Sequence, residues 1–223
     1  DPDHGDNAVP SVHVNGEPVT AVYPCAPDST IVRFPLPQPI MPGSQAVVQM
    51  DFVARPSTVP RRQGRRGRHY DFAQWYPRMV VHDEHGWQER PLYPAGEFYG
   101  DFGDITVTLD VPEDQVVAAT GVPVCGDPGW ERANQRPDRP VNYRREVRNR
   151  RVGSDWPCPP AEPGRKAMVW YAENVHYFGL SMNPEYRYEG GAFGDVAVHV
   201  LYQPGDEATW GNGAVVRHTE TAL

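Results

Sequence analysis

The sequence predicts an all-β chain, a saddle-like or sandwich arrangement of antiparallel sheets that closes with a short helical start. Three observations carry that expectation. Short β-branched and aromatic runs recur along residues 1–205. Proline (25) and glycine (21) punctuate them without a period, which suits many strands joined by turns and excludes a collagen-like repeat. No amphipathic helical pattern precedes residue 206.

The elements follow in order. Ser11 to Val14 leads into Asn15-Gly16 and then Pro18 to Tyr23; Asn-Gly between alternating apolar residues is the strongest short hairpin signal, since a type I′ turn needs positive φ twice. Thr30 to Phe34 is short and β-branched, and Pro35, Pro37, Pro39 and Pro42 then forbid a helix. Ala46 to Val53 reads as a strand. Tyr70 to His82 is aromatic and β-branched. Phe98 to Val111 contains the alternation Ile105, Val107, Leu109, Val111. Val116 to Thr120, Ala167 to Tyr171, Phe178 to Met182 and Asp195 to Tyr202 also have strand character. The β bias is lost after Gly205. Cys125 to Arg165, rich in arginine, proline and glycine, reads as a long insertion centred on residues 126–157.

Composition narrows the function. A hydrophobic fraction of 39% with 11% aromatics supports a real core and excludes wholesale disorder. A net charge of −8 opposes general nucleic-acid binding, because a phosphate backbone would be repelled by the average surface. No apolar run is long enough to span a membrane as a helix. The chain opens Asp1-Pro2-Asp3 without methionine and stops in what reads as early helical turns, so both ends read as cut.

Candidate chemistry is sparse. Cys125 and Cys158 bracket the insertion, and a disulfide between them would suit a secreted protein; the alternative is two exposed or half-buried thiols. Cys25 is then left as a small buried hydrophobe. His82-Asp83-Glu84-His85 has the look of a metal cluster, yet no further Cys or His stands at ligand spacing, so a polar turn is expected. Arg61 to Arg68 concentrates basic charge and reads as a solvated loop, or else as a docking loop. There is no G-x-S-x-G, P-loop or G-x-G-x-x-G motif, and no catalytic residue is assigned.

Four stretches, in order, resemble the N-terminal domain of the aminopeptidase N family, the gluzincin metallopeptidases that include the leukotriene hydrolases. They are Phe34-Pro35-Leu36 through Pro42-Gly43, and Phe72-Ala73-Gln74-Trp75-Tyr76-Pro77-Arg78-Met79. The third runs from Ile105 to Pro112 and on through Val116 to Gly121. The fourth is Trp170-Tyr171-Ala172-Glu173-Asn174-Val175-His176-Tyr177-Phe178-Gly179. The resemblance covers roughly residues 10–205. It implies a non-catalytic β domain over 1–205 that forms one wall of a peptide cleft, with 206–223 beginning a truncated catalytic domain.

That catalytic domain would carry the zinc, on H-E-x-x-H and a distant glutamate absent from this chain. It would be this chain's partner, and a peptide the substrate. By the same resemblance Gln74 stands at the first position of a Gln-x-Gln substrate-binding pair, with Tyr76 a departure at the second. The alternative is that Gln74 satisfies a sheet edge and Tyr76 packs in the core. No metal ligand is assigned here, and a periplasmic or secreted location is expected. The competing reading is a stand-alone β-sandwich binding or adhesion module.

Overall fold

The N-terminal hairpin shows how local turn chemistry sets the fold. Strands β1 (Asp6–Val14) and β2 (Glu17–Pro18) flank Asn15 and Gly16, whose φ values of 52° and 86° are the two left-handed residues of the expected turn. β1 pairs on its other side with β3 (Val48–Arg55), and a register shift between Ala8 and Ser11 leaves Val12 and Val14 buried. The computed structural model describes residues 4–59, 62–91, 99–139, 141 and 156–223. Its chain forms two units, one from Asp1–Thr58 with Gln74–Asp101 and the other from Val59–Ala73 with Phe102–Leu223.

In the first unit the strands expected at Pro18 to Tyr23 and Thr30 to Phe34 shrink to two residues of β2 and a single bridge, Val22 to Arg33. Pro24, Pro27 and Pro35 bound these runs, and a proline cannot donate to a ladder. Asp28 instead turns the chain by accepting from the Thr30 backbone N–H at 2.7 Å and its hydroxyl at 2.5 Å. A two-residue hairpin, β6 (His82–Asp83) and β7 (Gly86–Trp87), follows later. The His82–His85 motif is therefore the turn of a hairpin: the Asp83 carboxylate accepts from the His85 N–H and from Gln88 Nε2, each at 2.9 Å.

The second unit holds most of the core. Its four-stranded sheet runs β4 (Gly64–Arg66), β5 (His69–Phe72), β12 (Leu180–Asn183), β9 (Val116–Ala119). A three-stranded sheet runs β10 (Val122–Cys125), β11 (Arg165–Val175), β8 (Gly103–Pro112). A two-stranded hairpin joins β13 (Arg187–Phe193) to β14 (Val196–Tyr202). All strand pairs are antiparallel, as the sequence led us to expect.

The arginine-rich stretch differs from the expected loop, because Gly64 to Arg66 forms a hairpin with β5; Arg61 lies outside the described residues. An edge strand tolerates arginines whose long side chains reach solvent. Arg68 at the tip is held by two hydrogen bonds of 2.6 Å to Asp114.

Strand β13 is absent from the sequence reading, since Glu189-Gly190-Gly191 looks like a break. The glycine is there for a helix: a Cβ on Gly191 would strike Val216 and Glu220. Two helices close the chain, α2 (Glu207–Trp210) and α3 (Ala214–Ala222) once the single-turn α1 (Trp130–Ala133) is counted first.

Helix α1 sits in the segment read as an insertion, and that reading misses its first part. Trp130 is only 3% exposed, and its indole N–H donates to the Val117 carbonyl at 2.8 Å. Its ring stacks on Tyr188 (centroids 5.5 Å apart, 14° between planes) and meets Trp170 edge-on at 5.9 Å. Of the rest of the insertion, residues 140 and 142–155 lie outside the described residues. Cys125 and Cys158 are disulfide-bonded across it, with Cα atoms 5.6 Å apart. Closing 33 residues of chain contributes about 3–4 kcal/mol in the chain-entropy model. Cys25 is a free thiol, half-buried rather than fully enclosed.

Replacing Trp130 with alanine removes a buried ring and its hydrogen bond, and is expected to lower stability by about 3–5 kcal/mol in urea denaturation. The Arg68 pair has a pH signature. Its hydrogen bonds to Arg68 hold the Asp114 carboxyl below the ordinary carboxylate range. A carboxylate depressed in the folded state stabilises at neutral pH and loses that contribution as pH falls through its folded value. The melting-temperature gap between wild type and Arg68→Ala should thus be small at neutral pH and vanish on acidification below about pH 4.

Candidate functional site

The residues singled out by sequence lie just past a strand end. β5 stops at Phe72, so the strand expected through His82 is cut short. Gln74 has φ of 56°, a left-handed conformation unusual for a residue with a Cβ. That backbone bends the chain and starts the second segment of the first unit.

Three neighbours then fix the segment. The Trp75 carbonyl accepts from Asn7 Nδ2 at 3.1 Å, the Trp75 ring lies 5.9 Å from Phe52, and Tyr76 meets Trp75 edge-on at 5.2 Å. Gln74 and Tyr76 are both half-buried. Met79, further along, is 55% exposed. Gln74 and Tyr76 are thus set in a rigid aromatic bend, and Gln74 is not part of a strand ladder.

The strongest polar cluster in the second unit was not picked out by sequence. His69 and Asp71 alternate on β5, and His69 Nε2 lies 2.9 Å from Asp71 Oδ2. Asp71 Oδ1 accepts from the Ser181 hydroxyl at 2.6 Å, which in turn lies 2.5 Å from the Tyr186 hydroxyl. The Tyr186 ring packs edge-on against His69 at 5.7 Å, and burial pushes its phenol up.

Serine, aspartate and histidine side by side invite a hydrolase reading, but the connectivity is wrong for one. The serine donates to the carboxylate and not to the imidazole, so no base is placed on the nucleophile. The cluster ties β5 to β12. The signal that could have found it is the His-x-Asp spacing, which puts both side chains on one face of a strand.

Two open clefts flank this unit's polar groups. One, of about 620 Å³, is lined by Arg66, Arg68, His69, Asn183 and Glu185 among others. The other, of about 700 Å³, is lined by Asp138, Arg139, Tyr188, His199 and Glu220 with the glycines of β13. Lys166, the one lysine, is half-buried, and desolvation holds its amine below the ordinary value while Asp127 opposes that shift. Among the described residues no three His, Cys, Asp or Glu side chains converge as a metal-binding group. The described residues therefore do not fit a zinc centre. None of the described helices is long and apolar enough to cross a membrane.

This fold of antiparallel sheets with short closing helices is similar to part of solved M1 zinc metallopeptidase structures. Three of the solved structures that it is similar to show the extent of the likeness. The M1 zinc metallopeptidase from Deinococcus radiodurans is 17% identical with a TM-score of 0.51, over 96% of this chain and 42% of that one. A mutant of it bound to a Tyr-Ser-Ala substrate gives 17% and 0.52 over the same shares. A two-domain M1 zinc metallopeptidase mutant bound to L-arginine gives 16% and 0.51 over 96% and 42%. The chain thus spans 42% of the length of the solved structures it matches, and at this identity the likeness is one of fold. No family model and no curated protein matches it.

The left-handed bend at Gln74 has a measurable consequence. A β-branched residue is least tolerant of that conformation, so Gln74→Val should lower stability by about 1–2 kcal/mol, whereas Gln74→Gly should be close to neutral; chemical denaturation checks both.

Proposed function

We propose that this chain is the non-catalytic N-terminal β domain of a zinc-dependent aminopeptidase-like metallopeptidase, forming one wall of its peptide-binding cleft. The observation that carries the reading is the fold likeness to M1 zinc metallopeptidases over 96% of the chain, matched to only 42% of their length. In this reading the zinc, the water it activates and the glutamate base belong to a further domain of the same protein. That domain is this chain's partner and a peptide is its substrate.

The chain's own contribution is binding and shape. Gln74, held in its strained bend beside Trp75, offers an amide that can donate to a peptide carbonyl and accept from an amine. Tyr76 supplies a ring edge and a hydroxyl from the next position but one. The Cys125–Cys158 disulfide supports a periplasmic or secreted setting, where such bonds persist.

The test uses both the isolated chain and the longer protein. The 223-residue chain should show no aminopeptidase activity and bind no stoichiometric zinc; activity or tight zinc binding in it would remove the proposal. In the longer protein, Gln74→Ala should raise KM for a peptide roughly tenfold with kcat nearly unchanged, the pattern of lost uniform binding. An unchanged KM would take Gln74 out of the cleft.

A further inference from the structure

Helix α3 begins without a capping side chain of its own. Its N-cap position is Gly213, at φ 69°, which offers no side-chain acceptor. The two N–H groups that lead into the helix are instead held from β13. Glu189, 2% exposed, accepts from the Asn212 N–H at 2.8 Å and the Gly213 N–H at 2.6 Å, and from the Tyr202 hydroxyl at 3.1 Å. Tyr202 stays a donor across the ordinary pH range, its phenol pushed up to about 12 by burial and then by the Glu189 charge.

The helix returns the contact at its other end. Glu220 accepts from the Ala192 N–H on β13 at 3.0 Å, with Arg139 3.8 Å away. The missing side chain of Gly191 lets the helix lie against the strand between these two points.

We propose that α3 is a latched element, fixed to the β13–β14 hairpin by a two-ended carboxylate clasp in which Glu189 anchors the backbone N–H groups entering the helix. Three features make it separable from the sheets. A nine-residue helix is too short to persist alone in water. Its apolar anchor is small: Val216 is its one buried residue, packed into a cluster with Val198, Val200 and Tyr202.

Charge supplies the third. A Cβ at Gly213 would lie 3.1 Å from Arg136 Nη1 and 2.8 Å from Arg217 Nη1, so two guanidinium groups crowd the positive end of the helix. The Glu189 carboxylate offsets them. An isosteric amide could keep the shape and lose that offset.

Hydrogen exchange at neutral pH on the 223-residue chain reads the latch directly. Glu189→Gln should speed exchange of the Asn212 to Arg217 amides by about tenfold or more, the loss expected for hydrogen bonds to a charged acceptor, with β8 and β11 unchanged. Unchanged α3 protection overturns the proposal. So does a rise of equal size throughout the second unit, or a variant that does not fold, since α3 would then be no separable element. Glu220→Gln should speed exchange at Ala192 and from Thr219 onward while Asn212 and Gly213 stay protected; exchange rising equally at both ends would leave a single-ended contact and overturn the clasp.

Discussion

The second unit depends on how Trp170 is buried. That residue is fully enclosed at the middle of β11, where its backbone pairs with Val107 on β8 and with Pro123 on β10. Part of its cover comes from Trp130 on the one-turn helix α1, which meets it edge-on. Trp130 in turn stacks on Tyr188 of β13 and approaches His199 of β14 to 4.3 Å between centroids. One chain of aromatic contacts therefore links the three-stranded sheet, the insertion and the terminal hairpin. Burying such rings contributes more than any hydrogen bond at the surface. The disulfide at Cys125, five residues before Trp130, limits how far that segment can stray in the unfolded chain.

Much of this was legible in the residues. Period-two alternation in Ile105, Val107, Leu109 and Val111 marks β8, because side chains on one face of a strand recur at every second position. Asn15-Gly16 marks its turn for a reason as local, the need for positive φ twice. What failed to show were features set by distant partners. Trp130 sits among arginines and prolines and has no periodic neighbours, so only Trp170 and Tyr188 reveal it as core. Glu189-Gly190-Gly191 looks like a break until the helix that needs the glycine is placed against it. Tyr70 to His82 has the composition of a long strand, yet a single left-handed residue at Gln74 ends it. Strand propensity in such runs is a prior that tertiary context overrides.

The candidate site was legible in the same uneven way. Gln74 and Tyr76 were marked by family resemblance and not by any local rule. The structure adds that the intervening Trp75 is braced through its carbonyl by Asn7 and through its ring by Phe52. A backbone held in a sparsely populated region by packed neighbours is a fixed base for the side chain it carries. The His69 cluster was only half legible, through the spacing of His69 and Asp71. Its members come from β5, β12 and the turn after it, and the 110 residues separating Asp71 from Ser181 carry no signal of their meeting.

The polar groups of the second unit share one economy of arrangement, which bears on what such a chain can do. Asp71 receives His69 and Ser181; Asp114 receives Arg68; Glu189 receives two backbone N–H groups and a phenol. Each of these carboxylates ends facing a donor fixed by the fold. Reactive sites are built the other way, with a charged or nucleophilic group left poised toward an incoming molecule. These carboxylates instead hold strands and a helix in place.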